Sequence, residues 1–179
     1  MILVVVKPCF AGEDQSAVAR EALFEALSDK FSLPPLEIKK TEAGKPYFED
    51  SRYPAFSISH TEGAVCVAIC DTAESVGADI EKYSERLKDT RLTDRFFRGL
   101  SVGENEISDI EIMTAEDTRI EENTDIVFTL GEAIIKCDGR GFAAAREAHA
   151  LSEKMRSASF KLTAPGKTYA LSVAIKEKE

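Results

Sequence analysis

The stretch Val76-Gly77-Ala78-Asp79-Ile80-Glu81 alternates with a period of two, and that period reads as a short strand with one apolar and one polar face. Val76, Ala78 and Ile80 fall on one side, and Gly77, Asp79 and Glu81 on the other. Such a strand needs a core beneath it. It also sets two carboxylates about 7 Å apart along the backbone. Two such groups repel one another unless a cation or a basic side chain lies between them. Hard oxygen ligands at this spacing suit Mg2+, which takes one or two carboxylates together with substrate phosphates.

The chain has 179 residues, 44% hydrophobic and 31% charged, enough for one core or for two small halves sharing one. A formal net charge of −9 argues against duplex nucleic acid as a partner. The longest strictly apolar run, residues 64–70, is far shorter than a membrane span. Residues 2–6 are too few for a signal-peptide core, and no small-residue cleavage site follows them. Cys9, Cys66, Cys70 and Cys137 form no CxxC pair, so reduced thiols in a cytoplasmic protein are expected. Charge is unevenly distributed. Residues 101–125 hold nine acidic residues against Arg119 alone, whereas Lys82, Arg86, Lys88, Arg91, Arg95 and Arg98 precede them. That basic stretch suits an acidic protein or a polyphosphate, and equally a solvated helix face with internal ion pairs.

The pattern predicts an α/β (α+β) protein. Strands are expected at 2–6, 36–39, 55–59, 65–70 and 75–81, with a turn at Gly44-Lys45-Pro46 and a polar hairpin loop at 60–63. Helices are expected at 14–31, ended by Pro34-Pro35, at 89–98, and at 125–137, stopped by Gly139 and Gly141. A last hairpin, 159–163 with 169–176, turns at Pro165-Gly166. Phe56-Ser57-Ile58 leading to Val67-Ala68-Ile69 resembles Phe160-Lys161-Leu162 leading to Val173-Ala174-Ile175. This faint repeat suggests two similar halves, 1–75 and 76–179, with the carboxylate strand at their junction, where ligands commonly bind.

Phe128, Glu132 and Lys136 recur at i, i+4 spacing and share a helix face. Glu132 and Lys136 suit a surface ion pair, and Thr129 with Glu132 a capping box. With Asp79 and Glu81, Glu132 also completes a three-carboxylate metal set, one turn from a lysine able to meet a phosphate. His60, one of two histidines, is expected at a hairpin mouth, where it is either solvated or holds a phosphate.

Gly44-Lys45-Pro46-Tyr47-Phe48, Phe56-Ser57-Ile58-Ser59-His60-Thr61, Val76 to Glu81, Phe128-Thr129-Leu130-Gly131-Glu132-Ala133-Ile134-Ile135-Lys136 and Gly139-Arg140-Gly141 follow in order. Over residues 36–142 they resemble the ordered motifs of Sfp-type 4′-phosphopantetheinyl transferases: GKP, F-x-I-S-H-S/T, G-x-D-I/V-E, and W-x-x-K-E-A-x-x-K followed by G-x-G. The resemblance implies a fold of two pseudo-symmetric α/β halves in one chain, a natural monomer. It implies Mg2+ on Asp79, Glu81 and Glu132. It implies coenzyme A held by Lys45, Pro46, Ser59, His60 and Lys136, with Arg20 near the 3′-phosphate. The reaction would move 4′-phosphopantetheine from coenzyme A to a serine of an acyl or peptidyl carrier protein, with adenosine 3′,5′-bisphosphate leaving. Glu81, Glu132 and Lys136 are then the catalytic residues. Glu81, Glu104, Glu106 or a water takes the serine proton. The basic 82–98 stretch would dock the acidic carrier.

Two positions depart from the motif: Phe128 stands where the family has Trp, and Gly131 where it has its first Lys. A glycine inside a helix costs about 1 kcal/mol relative to alanine, and the missing lysine removes a positive charge beside Glu132. The alternative expectation is therefore a catalytically weak or inactive relative that binds coenzyme A or a carrier.

Overall fold

The computed structural model describes residues 1–84, 87, 90–100, 106–115, 117–122 and 126–178. In chain order the elements are β1 (Ile2–Pro8), α1 (Gln15–Phe31), β2 (Lys39–Lys40), β3 (Pro46–Tyr47), β4 (Ala55–Thr61), β5 (Ala64–Cys70), β6 (Ala73–Lys82), α2 (Thr90–Phe96), β7 (Ile110–Met113), β8 (Arg119–Glu122), α3 (Val127–Asp138), a 3-10 helix (Gly141–Glu147), α4 (Ala148–Ser152), β9 (Arg156–Ala164) and β10 (Lys167–Glu177). One sheet runs β4-β5-β1-β7 and the other β6-β10-β9-β8, with β2 and β3 a small separate ladder. The class is mixed α/β, as the sequence predicts.

Alternation along each strand builds the layers. Val4, Cys66 and Ala68 from the first sheet meet Val76, Ala78, Ile80, Leu171 and Val173 from the second in one shared core. The opposite face of the first sheet, with Leu3, Val5, Val67 and Ile69, buries Ala19, Leu23 and Leu27 of α1. Ala174 of β10, on the opposite face of the second sheet, buries against Leu130, Ala133 and Ile134 of α3. The order is thus helix, sheet, sheet, helix. β5 is covered on both faces and every residue of it is buried, so it reads as an unbroken apolar run.

Helix α1 is capped by Asp14, whose side chain accepts from the Ser16 and Ala17 N–H groups. Ser32, with a φ of 54°, ends it. Several expectations shift. His60 lies inside β4 rather than in the loop, because pairing with β5 continues to Thr61↔Ala64 and leaves only Glu62 and Gly63 to turn. Within the acidic 101–125 stretch the chain forms β7 and β8, which no apolar run announces. β7 pairs in parallel with β1, so the first sheet takes a strand from beyond residue 75. Asp125 and Glu104 lie outside the described residues, as do Arg86 and Lys88.

The edge strands β4 and β6 meet without a backbone ladder. The N–H groups of Ala78, Ile80 and Lys82 donate to the hydroxyls of Ser57 (3.0 Å), Ser59 (3.2 Å) and Thr61 (3.2 Å). Side-chain oxygens here satisfy donors that an edge strand would otherwise leave unpaired.

Candidate functional site

β6 turns Val76, Ala78 and Ile80 into the shared core and Gly77, Asp79 and Glu81 toward α3. Gly77 is what lets the helix down. A Cβ there would overlap the Ala133 carbonyl and the Cys137 backbone nitrogen. With no side chain in the way, α3 lies on the strand and brings Glu132 and Lys136 over the carboxylates.

Asp79 is 4% exposed. Its Oδ1 accepts from Lys136 Nζ at 2.6 Å and from Ser59 Oγ at 3.0 Å, and Lys136 Nζ also reaches Ser59 Oγ at 3.0 Å. Asp79 Oδ2 is buried and has no partner among the described residues. Glu81 is half-buried, and its Oε2 accepts from Thr61 Oγ1 at 3.1 Å. Burial, then the Asp79 charge, pushes the Glu81 carboxyl above its ordinary range, against the Thr61 hydrogen bond. Glu132 is raised in the same way, by burial and then by Asp79, with Lys136 opposing and Glu81 adding. The three carboxylates therefore lie within electrostatic reach of one another, with the Lys136 ammonium as their cation. Among the described residues no three His, Cys, Asp or Glu side chains stand close enough to hold a metal unaided.

Two clefts border this cluster, and another adjoins one of them. One of about 370 Å³ lies over Glu132, Lys136, Ser57, Pro46 and Phe142. A second, of about 720 Å³, shares Gly44, Pro46 and Ile58 with it and reaches Arg20, Lys40 and His60. The third, of about 420 Å³, lies beyond Glu81 and is walled by Phe96, Phe128 and Phe142. His60 is exposed and faces the same space as Arg20.

The structure brings Asp79, Glu81, Glu132, Lys136 and Ser59 together, with Pro46 and His60 along the clefts. Lys45 is placed differently. Its ammonium is directed at Ser75 Oγ and, at 2.7 Å, at the Cys137 carbonyl. Burial lowers its pKa. The amine ties the Gly44-Lys45-Pro46 turn to the end of α3, beside the cleft that the residue helps to line. Ser59 Oγ is likewise fully engaged inside the protein. Glu106 is bridged to Ser157 at the edge of β9, with β9 and β10 between it and β6. In the basic stretch, Lys82 pairs with Glu62 and Arg95 lies over the Phe96 ring at 5.2 Å.

Sequence reasoning passed over Ser57 and Thr61, although Ser57-x-Ser59-x-Thr61 repeats every second residue. It also left Gly131 without an explanation. A Cβ at 131 would overlap the Phe97 ring, which stands edge-on to Phe128 at 5.7 Å between centroids. The glycine makes room for an aromatic residue. Neither the protein-family models nor the curated proteins compared with this chain give a match.

Proposed function

We propose that this chain is a Mg2+-dependent 4′-phosphopantetheinyl transferase of the Sfp type, moving the 4′-phosphopantetheine of coenzyme A onto a serine of an acyl or peptidyl carrier protein. One observation carries the reading. Asp79 is buried against Lys136 with Oδ2 unpartnered among the described residues, beside two further carboxylates, and Glu132 and Lys136 line a cleft that adjoins the one reaching Arg20 and His60. A buried carboxylate oxygen without a donor is an acceptor for a cation, and oxygen donors are what Mg2+ selects. Asp79, Glu81 and Glu132 would hold it, with substrate phosphates and water as the remaining ligands. Held there, the ion would supply neutralisation of pyrophosphate charge.

The chain's own residues supply the rest. Arg20, Lys40 and His60 suit the phosphates at the nucleoside end of coenzyme A. Lys136, held on Asp79, offers an ammonium toward charge that develops on the departing oxygen. A serine oxygen forms the new bond to phosphorus, the phosphoanhydride bond breaks, and adenosine 3′,5′-bisphosphate leaves. Glu81 is the acceptor for the serine proton, directly or through a water. Its raised pKa suits that role better than the position of Glu106 across the second sheet. The two sheets, each with a hairpin (β4–β5 and β9–β10) and a covering helix, support a fold of two similar halves joined at the site.

Phe97 over Gly131 favours a second reading, a slow or inactive relative that binds coenzyme A, since an aromatic ring takes the place of the motif's first lysine. Incubation with coenzyme A, Mg2+ and a set of apo carrier proteins, read by intact mass, separates the two. The transferase adds one phosphopantetheine to at least one carrier, and Asp79→Ala abolishes that adduct with the far-ultraviolet circular dichroism unchanged. Tight coenzyme A binding with no adduct on any carrier leaves only the second reading.

A further inference from the structure

A hydroxyl has one proton to give and two lone pairs to receive with, and at the β4–β6 junction the geometry fixes where the protons of Ser59 and Thr61 go. Ser59 Oγ accepts from Ile80 N–H and from Lys136 Nζ, so its proton goes to Asp79 Oδ1. Thr61 Oγ1 accepts from Lys82 N–H, and its proton goes to Glu81 Oε2. Each hydroxyl belongs to the first sheet. Each bridges a carboxylate of the second sheet to the backbone N–H of the very next residue. The carboxylate is thereby pinned at one oxygen against its own strand, in a closed ring that only the opposite sheet can complete. Ser57 makes the same backbone contact with Ala78, but the residue before Ala78 is Gly77, which has no carboxylate, and no acceptor is placed for the Ser57 proton among the described residues.

We propose that Ser59 and Thr61 are positioning residues: they hold Asp79 Oδ1 and Glu81 Oε2 as acceptors and so present Asp79 Oδ2 and Glu81 Oε1 to a divalent cation, making the cation site depend on the docking of one sheet against the other. This rests on the divalent-cation site of the proposed function, not on the transfer step. Ser57 is the internal control. A purely architectural role would make all three hydroxyls equivalent, because each satisfies one N–H of the same edge strand. The positioning role makes Thr61 and Ser57 differ at the cation while agreeing in stability.

The test uses the full chain and Mn2+ as the probe, with free Mn2+ followed by electron paramagnetic resonance in the presence of coenzyme A. Thr61→Val, close in shape and lacking the O–H, weakens Mn2+ binding about tenfold, the effect typical of losing a partner of a metal ligand. Thr61→Ser restores it. Ser57→Ala leaves Mn2+ affinity unchanged while its melting temperature falls about as far as that of Thr61→Val. Three results overturn the proposal: equal Mn2+ affinity in Thr61→Val and wild type, equal weakening by Ser57→Ala, or no Mn2+ bound by the wild type. The transfer reading is judged separately by carrier mass. Discrimination between the variants without any adduct sustains the positioning role and removes the transferase; an adduct with indifferent variants does the reverse.

Discussion

Helices α1 and α3 each cover the outer face of a sheet, yet they are seated by different means. α1 carries its own instructions. Asp14 caps its first turn, and Ala19, Leu23, Ala26 and Leu27 supply a buried stripe. Among the described residues α3 has no side-chain cap at its start. It holds two glycine contacts instead: Gly77 beneath it, which admits its backbone to β6, and Gly131 within it, which admits Phe97. α1 is a helix by sequence that happens to be buried. α3 is placed by its neighbours to within a side chain's width, as befits a helix that must set Glu132 and Lys136 over Asp79.

That contrast can be broken, most severely at Gly77. Gly77→Ala forces a methyl into the α3 backbone, which no rotamer change relieves. A cost of about 3 kcal/mol follows, or a melting temperature lower by about 6–12 °C, measured by thermal unfolding followed by circular dichroism. Gly131→Ala sets a helix gain of about 1 kcal/mol against overlap with the Phe97 ring costing about 2 kcal/mol. Urea denaturation is expected to show net loss in the wild-type background and net gain in a Phe97→Leu background. On α1, Asp14→Ala removes the cap and costs about 1 kcal/mol, with carrier modification unaltered. That outcome would show that the α1 cap serves the fold and not the site.

The smallest effect concerns charge. Glu132 is raised above 4.5 by burial first and by Asp79 next, with Lys136 opposing. The folded chain binds this proton more tightly than the unfolded chain, so stability falls as pH climbs from 4.5 through the raised folded value. Glu132→Gln is therefore expected to melt higher than wild type at neutral pH without divalent cations, the gap closing as pH drops below 4.5. Equal melting temperatures at both ends would show that the three carboxylates do not strain one another.

The same contrast governs what could be read in advance. Strand β6, the hairpins and both long helices follow from period, punctuation and caps, which act over a few residues. Asp79, Glu81, Glu132 and Lys136 could be grouped because each lies on a regular face of a regular element. The aim of Lys45 could not, since it depends on where the end of α3 lies, 92 residues away in the chain. β7 and β8 are stabilised as edge strands by β1 and β9, and their own sequences, IEIM and RIEE, are too short and charged to announce a strand. Ser57 and Thr61 escaped because hydroxyls in a strand usually face water, whereas these face another strand.

The parallel pairing of β7 with β1 has a consequence for how the protein must be made. A ribosome releases β1, α1, β4 and β5 long before Ile110–Met113 emerges, so the first sheet waits, incomplete, with one side of Ile2–Val5 lacking the strand it will pair with. An apolar strand with a bare edge invites pairing with other chains. A fragment ending at residue 75 would keep that edge open permanently, and the sensible places to divide or permute this chain lie outside the span from β1 to β7.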